Sequence, residues 1–355
     1  MAELAEPPAR VAPTGSPYRE GLFDRLIKSV RHSTAPAWAI YSAIAVALVV
    51  LEVAVTWLDG TFPLRFGLIH VLLPVFAMFV LPALHFFDTL ATRALVAARP
   101  VLPVDEDGYE DLLHRLTTRP AGETALAATA GLLALAGLTL TQPADTYAVL
   151  QIMVTPLATV VEWTLQAFVW AGVGIVSFDI ARKLRLIDEI YTRHVRISVL
   201  SPGPLYAFSR LAAAMVIVTL AAVAIATIAL RELAGTTQWA IAAGAPSALA
   251  AIAFVAPLWG AHRLMEQEKA RELDAIGARV EKTIGFLRDR VDEGDLAGMS
   301  DLKDALDGLL VARKEFSSIS TWPWQRETLG GVVTAVIAPL AIWLITQVVE
   351  RSALI

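Results

Sequence analysis

Residues 37–58 read AWAIYSAIAVALVVLEVAVTWL and hold a single charged side chain, that of Glu52. A helix of this length measures about 33 Å, which matches a bilayer hydrocarbon core about 30 Å thick. Blocks of similar composition recur at about 66–87, 124–141, 157–178, 208–230, 238–259 and 329–349. The sequence therefore predicts an all-α fold, a polytopic transmembrane helix bundle of about seven spans.

The overall composition agrees with this prediction. Mean hydropathy is +0.59 and hydrophobic residues make up 56% of the chain. Charged residues make up only 18%, whereas soluble domains hold about 25%. The chain has no cysteine, which excludes disulfides, thiolate metal sites and cysteine nucleophiles.

The basic residues indicate how the chain is threaded, because Lys and Arg are enriched in cytosolic loops. Of the 29 in the chain, 26 fall in the N-terminal tail and in the second, fourth and sixth connections. Only Arg65, Arg231 and Arg351 fall elsewhere. We therefore expect a multi-pass protein of the plasma membrane with its N-terminus in the cytosol and its C-terminus outside. The predicted parts are a cytosolic tail at 1–36, spans one to six at 37–259, a cytosolic hairpin at 260–321, and span seven with a short tail at 322–355.

Several segments next to the spans carry helical patterns. Residues 18–30 predict a short amphipathic helix lying on the membrane, and DEDGYEDLLHRL predicts a helix capped by Asp105. After span four, DIARKLRLIDEIY is either a helix on the anionic inner leaflet or a continuation of the span. Residues 147–155 are either a kinked helix extension or a re-entrant piece, with Pro156 as an interruption.

The segment before span seven predicts an antiparallel helical hairpin. Apolar residues recur at spacings of three and four in residues 273–291 and 302–310, on either side of DEGDLAGMSD. The charged outer faces are either a solvated surface or a coiled-coil-like docking surface for a second copy or a cytosolic protein. Because the basic charge follows the predicted inner membrane face, the expected partner is a lipid bilayer and no nucleic acid.

Aromatic residues mark the predicted inner interface at two corners. In STWPWQRET at 320–328, Trp322 and Trp324 are expected at headgroup depth, with Pro323 in the first turn of span seven. A ligand or lipid site between the two indoles is the alternative. In SPGPLYAFSRL at 201–211, Tyr206 and Arg210 are expected at the same level before span five.

The strings PLYAFSRL, STWPWQRETL and LHRLTTRPA (113–121) resemble segments of an uncharacterised family of prokaryotic polytopic membrane proteins. The resemblance covers most of the chain beyond the N-terminal tail. It implies a multi-span membrane fold. Because that family has no established activity, the resemblance implies no functional residue.

Titratable residues inside the predicted spans are few, and three of them fall at one depth. Counted from the cytosolic ends at 1.5 Å per residue, Glu52, His70 and Glu162 lie about 22, 25 and 24 Å deep. Gln166 follows Glu162 by one turn. Two carboxylates and an imidazole at one level could bind a hard or borderline cation or relay protons. The alternative is that each side chain only bridges helices or reaches the outer interface by itself.

Other chemistry is not indicated. The sequence has no phosphate-binding loop, dinucleotide motif, zinc-protease motif or nucleophile elbow, so we predict no enzyme, no catalytic residue, no cofactor and no metal motif. Ala127 and Gly131 have the small-residue spacing that predicts close helix packing in span three.

The function is expected to be transport or channel-like, through the intramembrane polar site. The alternative is a membrane scaffold or signalling protein that acts through the hairpin.

Overall fold

The computed structural model of the chain describes residues 20–58, 67–141, 155–191, 203–229, 237–294 and 298–321, together with Gly330 and Thr334. Every regular element in these ranges is helical. The helices are α1 (Leu22–Arg31), α2 (Ala37–Leu58), α3 (Leu68–Ala98, followed by a 3-10 turn at Arg99–Val101), α4 (Glu106–Thr117), α5 (Ala121–Thr141), α6 (Pro156–Glu189), α7 (Gly203–Ala229), α8 (Thr237–Glu293) and α9 (Met299–Ser318).

Five of these helices are long and apolar enough to cross a membrane: α2, α3, α5, α6 and α7. Their outward faces stay apolar, as α5 shows with Leu126, Leu133 and Leu140, which are 72%, 68% and 86% exposed. An apolar stripe of this kind fits contact with lipid better than contact with water. The sixth predicted span is helical within α8, and the seventh lies outside the described residues apart from Gly330 and Thr334.

Helix α3 lies at the centre of the bundle and packs against α2, α6 and α7. Phe87 and Leu95 of α3 are fully buried against Ile187 of α6 and Met215 of α7. Burying large apolar side chains of this kind stabilises a fold by about 1.5–3 kcal/mol each in water. The contacts of α3 with α2 and α6 also position the polar groups described below.

Helices α5 and α6 approach each other through glycines. A Cβ added to Gly131 would overlap the carbonyl oxygen of Trp170 and lie 2.8 Å from its carbonyl carbon. A Cβ added to Gly174 would meet the Ala127 carbonyl in the same way. The two backbones are therefore in direct contact, which confirms the close packing predicted from the small residues of span three.

The short helical segments agree with the sequence patterns in two cases. Asp105 caps α4 by accepting a hydrogen bond from the Gly108 backbone at 2.9 Å. Helix α6 continues unbroken through Glu189, so DIARKLRLIDEIY is the continuation of span four and not a separate surface helix. Pro156 does not interrupt a helix but occupies the first turn of α6, behind its N-cap Thr155. Residues 147–154 lie outside the described part of the chain.

The predicted short helix within 18–30 is present as α1, and its position on a membrane stays a prediction. Asp24 and Ile27 are buried against the bundle, and Ile27 packs with Leu84 and Ile175. Leu22 and Leu26 remain exposed on the opposite side. Docking occurs because Asp24 has an ionic partner in the bundle, which a helical pattern by itself does not reveal.

Helices α8 and α9 run back along each other. The turn between them includes Gly294 and Gly298 at φ of 73° and 72°, a left-handed conformation that glycine adopts without strain. At the other end, the Lys269 ammonium donates to the carbonyl oxygens of Ser317 and Ile319 at 2.6 and 2.8 Å. The first helix is continuous with the predicted span six, and the cytosolic position of the pair stays a prediction.

Candidate functional site

Three polar side chains from three helices meet inside the bundle: Glu52 of α2, His70 of α3 and Glu162 of α6. They are 0%, 1% and 1% exposed. His70 Nδ1 lies 3.3 Å from Glu52 Oε1 and 3.7 Å from Glu162 Oε1. One ligand atom from each residue falls within 4.8 Å of the others. We call these residues the carboxylate–histidine cluster.

The local sequence turns each of these side chains toward the interior. Glu52 shares its helix face with the buried Val55 and Thr56, which follow it by three and four residues. His70 lies in the first turn of α3, and a Cβ on the preceding Gly67 would lie 3.4 Å from its ring. Glu162 shares a buried face with Leu165. The three therefore face protein rather than lipid.

The cluster places two carboxylates next to one imidazole. Its ion-pair distances of 3.3 and 3.7 Å run from Glu52 and Glu162 to His70. Glu52 Oε2 is buried and has no hydrogen-bond partner among the residues that the structure describes. Burying a carboxylate without a compensating charge is strongly unfavourable. A proton or a bound cation at Glu52 would lower this cost.

The remaining residues singled out from sequence lie elsewhere. Gln166 is half-buried one turn along α6, and within the described ranges no hydrogen bond joins it to the cluster. Tyr206 is half-buried and Arg210 exposed near the start of α7. Their predicted depth at a lipid interface stays a prediction. Trp322, Pro323 and Trp324 lie outside the described residues.

A second polar group, not predicted from the sequence, lies further along the same helices. Its centre is Arg119, in the segment between α4 and α5. The Arg119 guanidinium contacts Asp24 of α1, Asp88 of α3 at 2.6 Å and Asp179 of α6 at 2.9 Å. Lys183, one turn after Asp179, contacts that carboxylate and lies 3.0 Å from Asp88. These five residues, which we call the arginine network, are between 0 and 4% exposed.

The arginine network combines acidic and basic side chains. Its three carboxylates face Arg119 and Lys183, and Arg31 of α1 lies 3.8 Å from Asp88 at the edge. Burial disfavours the charged form of Arg119, but the three carboxylates outweigh burial and raise the pKa of the Arg119 guanidinium above its ordinary value. Arg119 therefore stays ionised, and its contacts tie α1, α3 and α6 to the α4–α5 connection.

A sequence signal for the network does exist. Each of its three acids directly follows a phenylalanine, at 23–24, 87–88 and 178–179, and these are the only Phe-Asp pairs in the chain. Two of them stand at the predicted inner ends of spans two and four, and the third lies in α1. The string LHRLTTRPA, which contains Arg119, was singled out only for its resemblance.

The two polar groups lie at opposite ends of the apolar bundle. His70 and Asp88 are 18 residues apart on α3, or about 27 Å, and Glu162 and Asp179 are 17 apart on α6, or about 25 Å. Apolar side chains fill the space between them.

Comparison of the chain with protein-family models, curated proteins and solved structures finds no match. The two polar groups are therefore the basis for a proposed function.

Proposed function

We propose that the chain is a membrane transport or channel-like protein that passes a cation or protons by way of Glu52, His70 and Glu162. The observation that supports this proposal is the convergence of two buried carboxylates and a buried imidazole from three apolar helices. Ionisable groups within membrane helices cost about 3 kcal/mol each at the bilayer centre and mark ion pathways or proton relays.

The arrangement of charge suggests how such a path is closed. With the N-terminus in the cytosol, the carboxylate–histidine cluster lies near the outer face and the arginine network at the cytosolic ends of α3 and α6. An ion that enters from outside then reaches the cluster first. The network blocks the cytosolic end, because its ion pairs join α1, α3 and α6, and has to rearrange before the ion leaves.

Flux measurements test the transport proposal. The variants Glu52→Gln and Glu162→Gln keep side-chain size but remove the charge. We expect each to reduce proton or cation flux into proteoliposomes at least tenfold, as dyes sensitive to pH and to metal ions would report. Glu123→Gln, which changes an exposed carboxylate at the start of α5, serves as the matched control. Wild-type flux in both cluster variants would remove these residues from the transport path.

The alternative function, a scaffold or signalling role through α8 and α9, is favoured by a separate observation. Phe286, Val291 and Val311 of these helices are 51%, 55% and 61% exposed. They lie in the charge-rich part of these helices, outside the five candidate membrane spans. If these side chains form one apolar patch, that patch would fit contact with another protein.

Cysteine crosslinking in intact membranes tests the alternative, since the chain has no cysteine of its own. If α9 docks on a second copy, Val311→Cys should give a crosslinked dimer, whereas the exposed Asp304→Cys on the same helix should give much less. Equal and weak crosslinking at both positions would argue against docking through this face.

A further inference from the structure

We infer that Glu52, His70 and Glu162 bind one divalent transition-metal ion of the Zn²⁺ or Mn²⁺ class. The inference rests on the intramembrane site of the proposed function and names the class of ion that this site takes. Three features of the cluster support it: the ligand types, the distances between their atoms and their net charge.

The ligand types favour a transition metal. Imidazole nitrogen suits Zn²⁺, Mn²⁺ and related ions, and two carboxylates complete a common set of three protein ligands. Calcium instead takes six to eight oxygen ligands, and magnesium retains several waters in a strict octahedron. A cluster with one nitrogen donor from His70 and two carboxylates is a poor match for either of these.

The distances are already close to those of a loaded site. Two ligands bonded to one Zn²⁺ at 2.0–2.1 Å in a tetrahedron are about 3.3 Å apart. His70 Nδ1 lies 3.3 Å from one carboxylate oxygen and 3.7 Å from the other. All three ligand atoms fall within 4.8 Å, so small side-chain rotations are enough to enclose an ion. The ligands come from α2, α3 and α6, so a bound ion would also join these helices.

The net charge points to a divalent ion. Two carboxylates acting as metal ligands bring a formal charge of −2, which one divalent cation cancels and one monovalent cation does not. Glu52 Oε2 is fully buried with no hydrogen-bond partner among the described residues, and it offers a further oxygen to such an ion. The arginine network also holds three carboxylates, but Arg119 and Lys183 already neutralise most of their charge.

Metal binding to the purified full chain in detergent tests the inference. After treatment with a chelator, the protein would be dialysed against Zn²⁺ or Mn²⁺ and its metal content measured by mass spectrometry. We expect one saturable ion per chain, which excess Ca²⁺ or Mg²⁺ does not displace. His70→Gln and Glu52→Gln should weaken this binding at least tenfold. His85→Gln should leave it unchanged, although His85 also joins α3 to α2 through the Tyr41 hydroxyl at 3.0 Å.

Absence of saturable binding in the wild type would overturn the inference, as would equal binding in the wild type and both cluster variants. X-ray absorption of the zinc-loaded wild type does not depend on any variant folding. One imidazole with oxygen ligands is the expected shell, and several imidazoles would overturn the assignment. Metal binding does not require transport. If the chain binds the metal ion but carries no ion across the membrane, only the proposed transport function is refuted. If the chain binds no metal but shows proton flux that depends on Glu52, only the proposed metal site is refuted.

Discussion

Replacing Arg119 by leucine is expected to prevent the chain from accumulating as a folded membrane protein. One guanidinium contacts Asp24, Asp88 and Asp179, all of them buried. Removing one partner of a buried ion pair costs about 3–5 kcal/mol, because the remaining charge stays buried without compensation. Without the Arg119 guanidinium, the basic groups left near the three carboxylates are Lys183 and, 3.8 Å from Asp88, Arg31. That cost is a large part of the 5–15 kcal/mol that stabilises a typical protein.

The measurement is the yield and melting temperature of detergent-solubilised protein, followed by size-exclusion chromatography. Arg115→Leu is the matched control. Arg115 lies four residues earlier and pairs with Glu189 at 2.8 Å, but its side chain is 30% exposed. Exposed pairs contribute about 0–1 kcal/mol, so this variant should behave nearly as the wild type. Similar losses in both variants would show that burial of the Arg119 charges is not what stabilises the bundle.

A rescue experiment separates lost charge from lost packing. If uncompensated carboxylates cause the defect, then Asp179→Asn in the Arg119→Leu background should recover part of the yield, since one buried charge fewer remains. Neighbours in one network show interaction energies of about 0.5–3 kcal/mol. A double variant worse than Arg119→Leu would instead point to packing around Asp179 as the cause.

The helices themselves could be predicted, because apolar blocks about 20 residues long have few alternatives. The depths of Glu52, His70 and Glu162 followed from counting residues along each span. Their convergence did not, because it depends on how α2, α3 and α6 are rotated and which of them are neighbours. No metal motif could be recognised either, since the three potential ligands come from three separate helices.

The arginine network was missed for a different reason. Charge counting treats every Lys and Arg beyond a span as a side chain in contact with water or headgroups. Arg119 and Lys183 were counted in this way, yet both are fully buried. Similarly, the amphipathic pattern of α1 does not reveal that Asp24 on this helix binds Arg119. Buried partners are set by tertiary contacts, and these are not visible in a linear pattern.

Substituting Gly131 by alanine is expected to destabilise the contact between α5 and α6 more than alanine at Gly122 or Gly137, the other glycines of α5. The added Cβ would overlap the Trp170 carbonyl, which is backbone and has no rotamer that relieves the overlap. Overpacking of this kind costs about 1–3 kcal/mol. Membrane helices associate through close van der Waals contact, so separating the backbones weakens the whole interface. Gly137→Ala on the same helix meets nothing within 4 Å and should be neutral or stabilising.

The melting temperature of each variant in detergent provides the comparison, and equal values for Gly131→Ala and Gly137→Ala would contradict the proposed contact. A double-mutant cycle with Gly174→Ala tests whether one interface is involved. A Cβ on Gly174 would overlap the Ala127 carbonyl and lie 3.2 Å from the Gly131 nitrogen. The first alanine already moves the helices apart, so the second alanine should displace them little further. The fall in melting temperature of the double variant should therefore be smaller than the sum of the falls in the two single variants. Additive losses would mean that the glycines act at independent contacts, each with its own local strain.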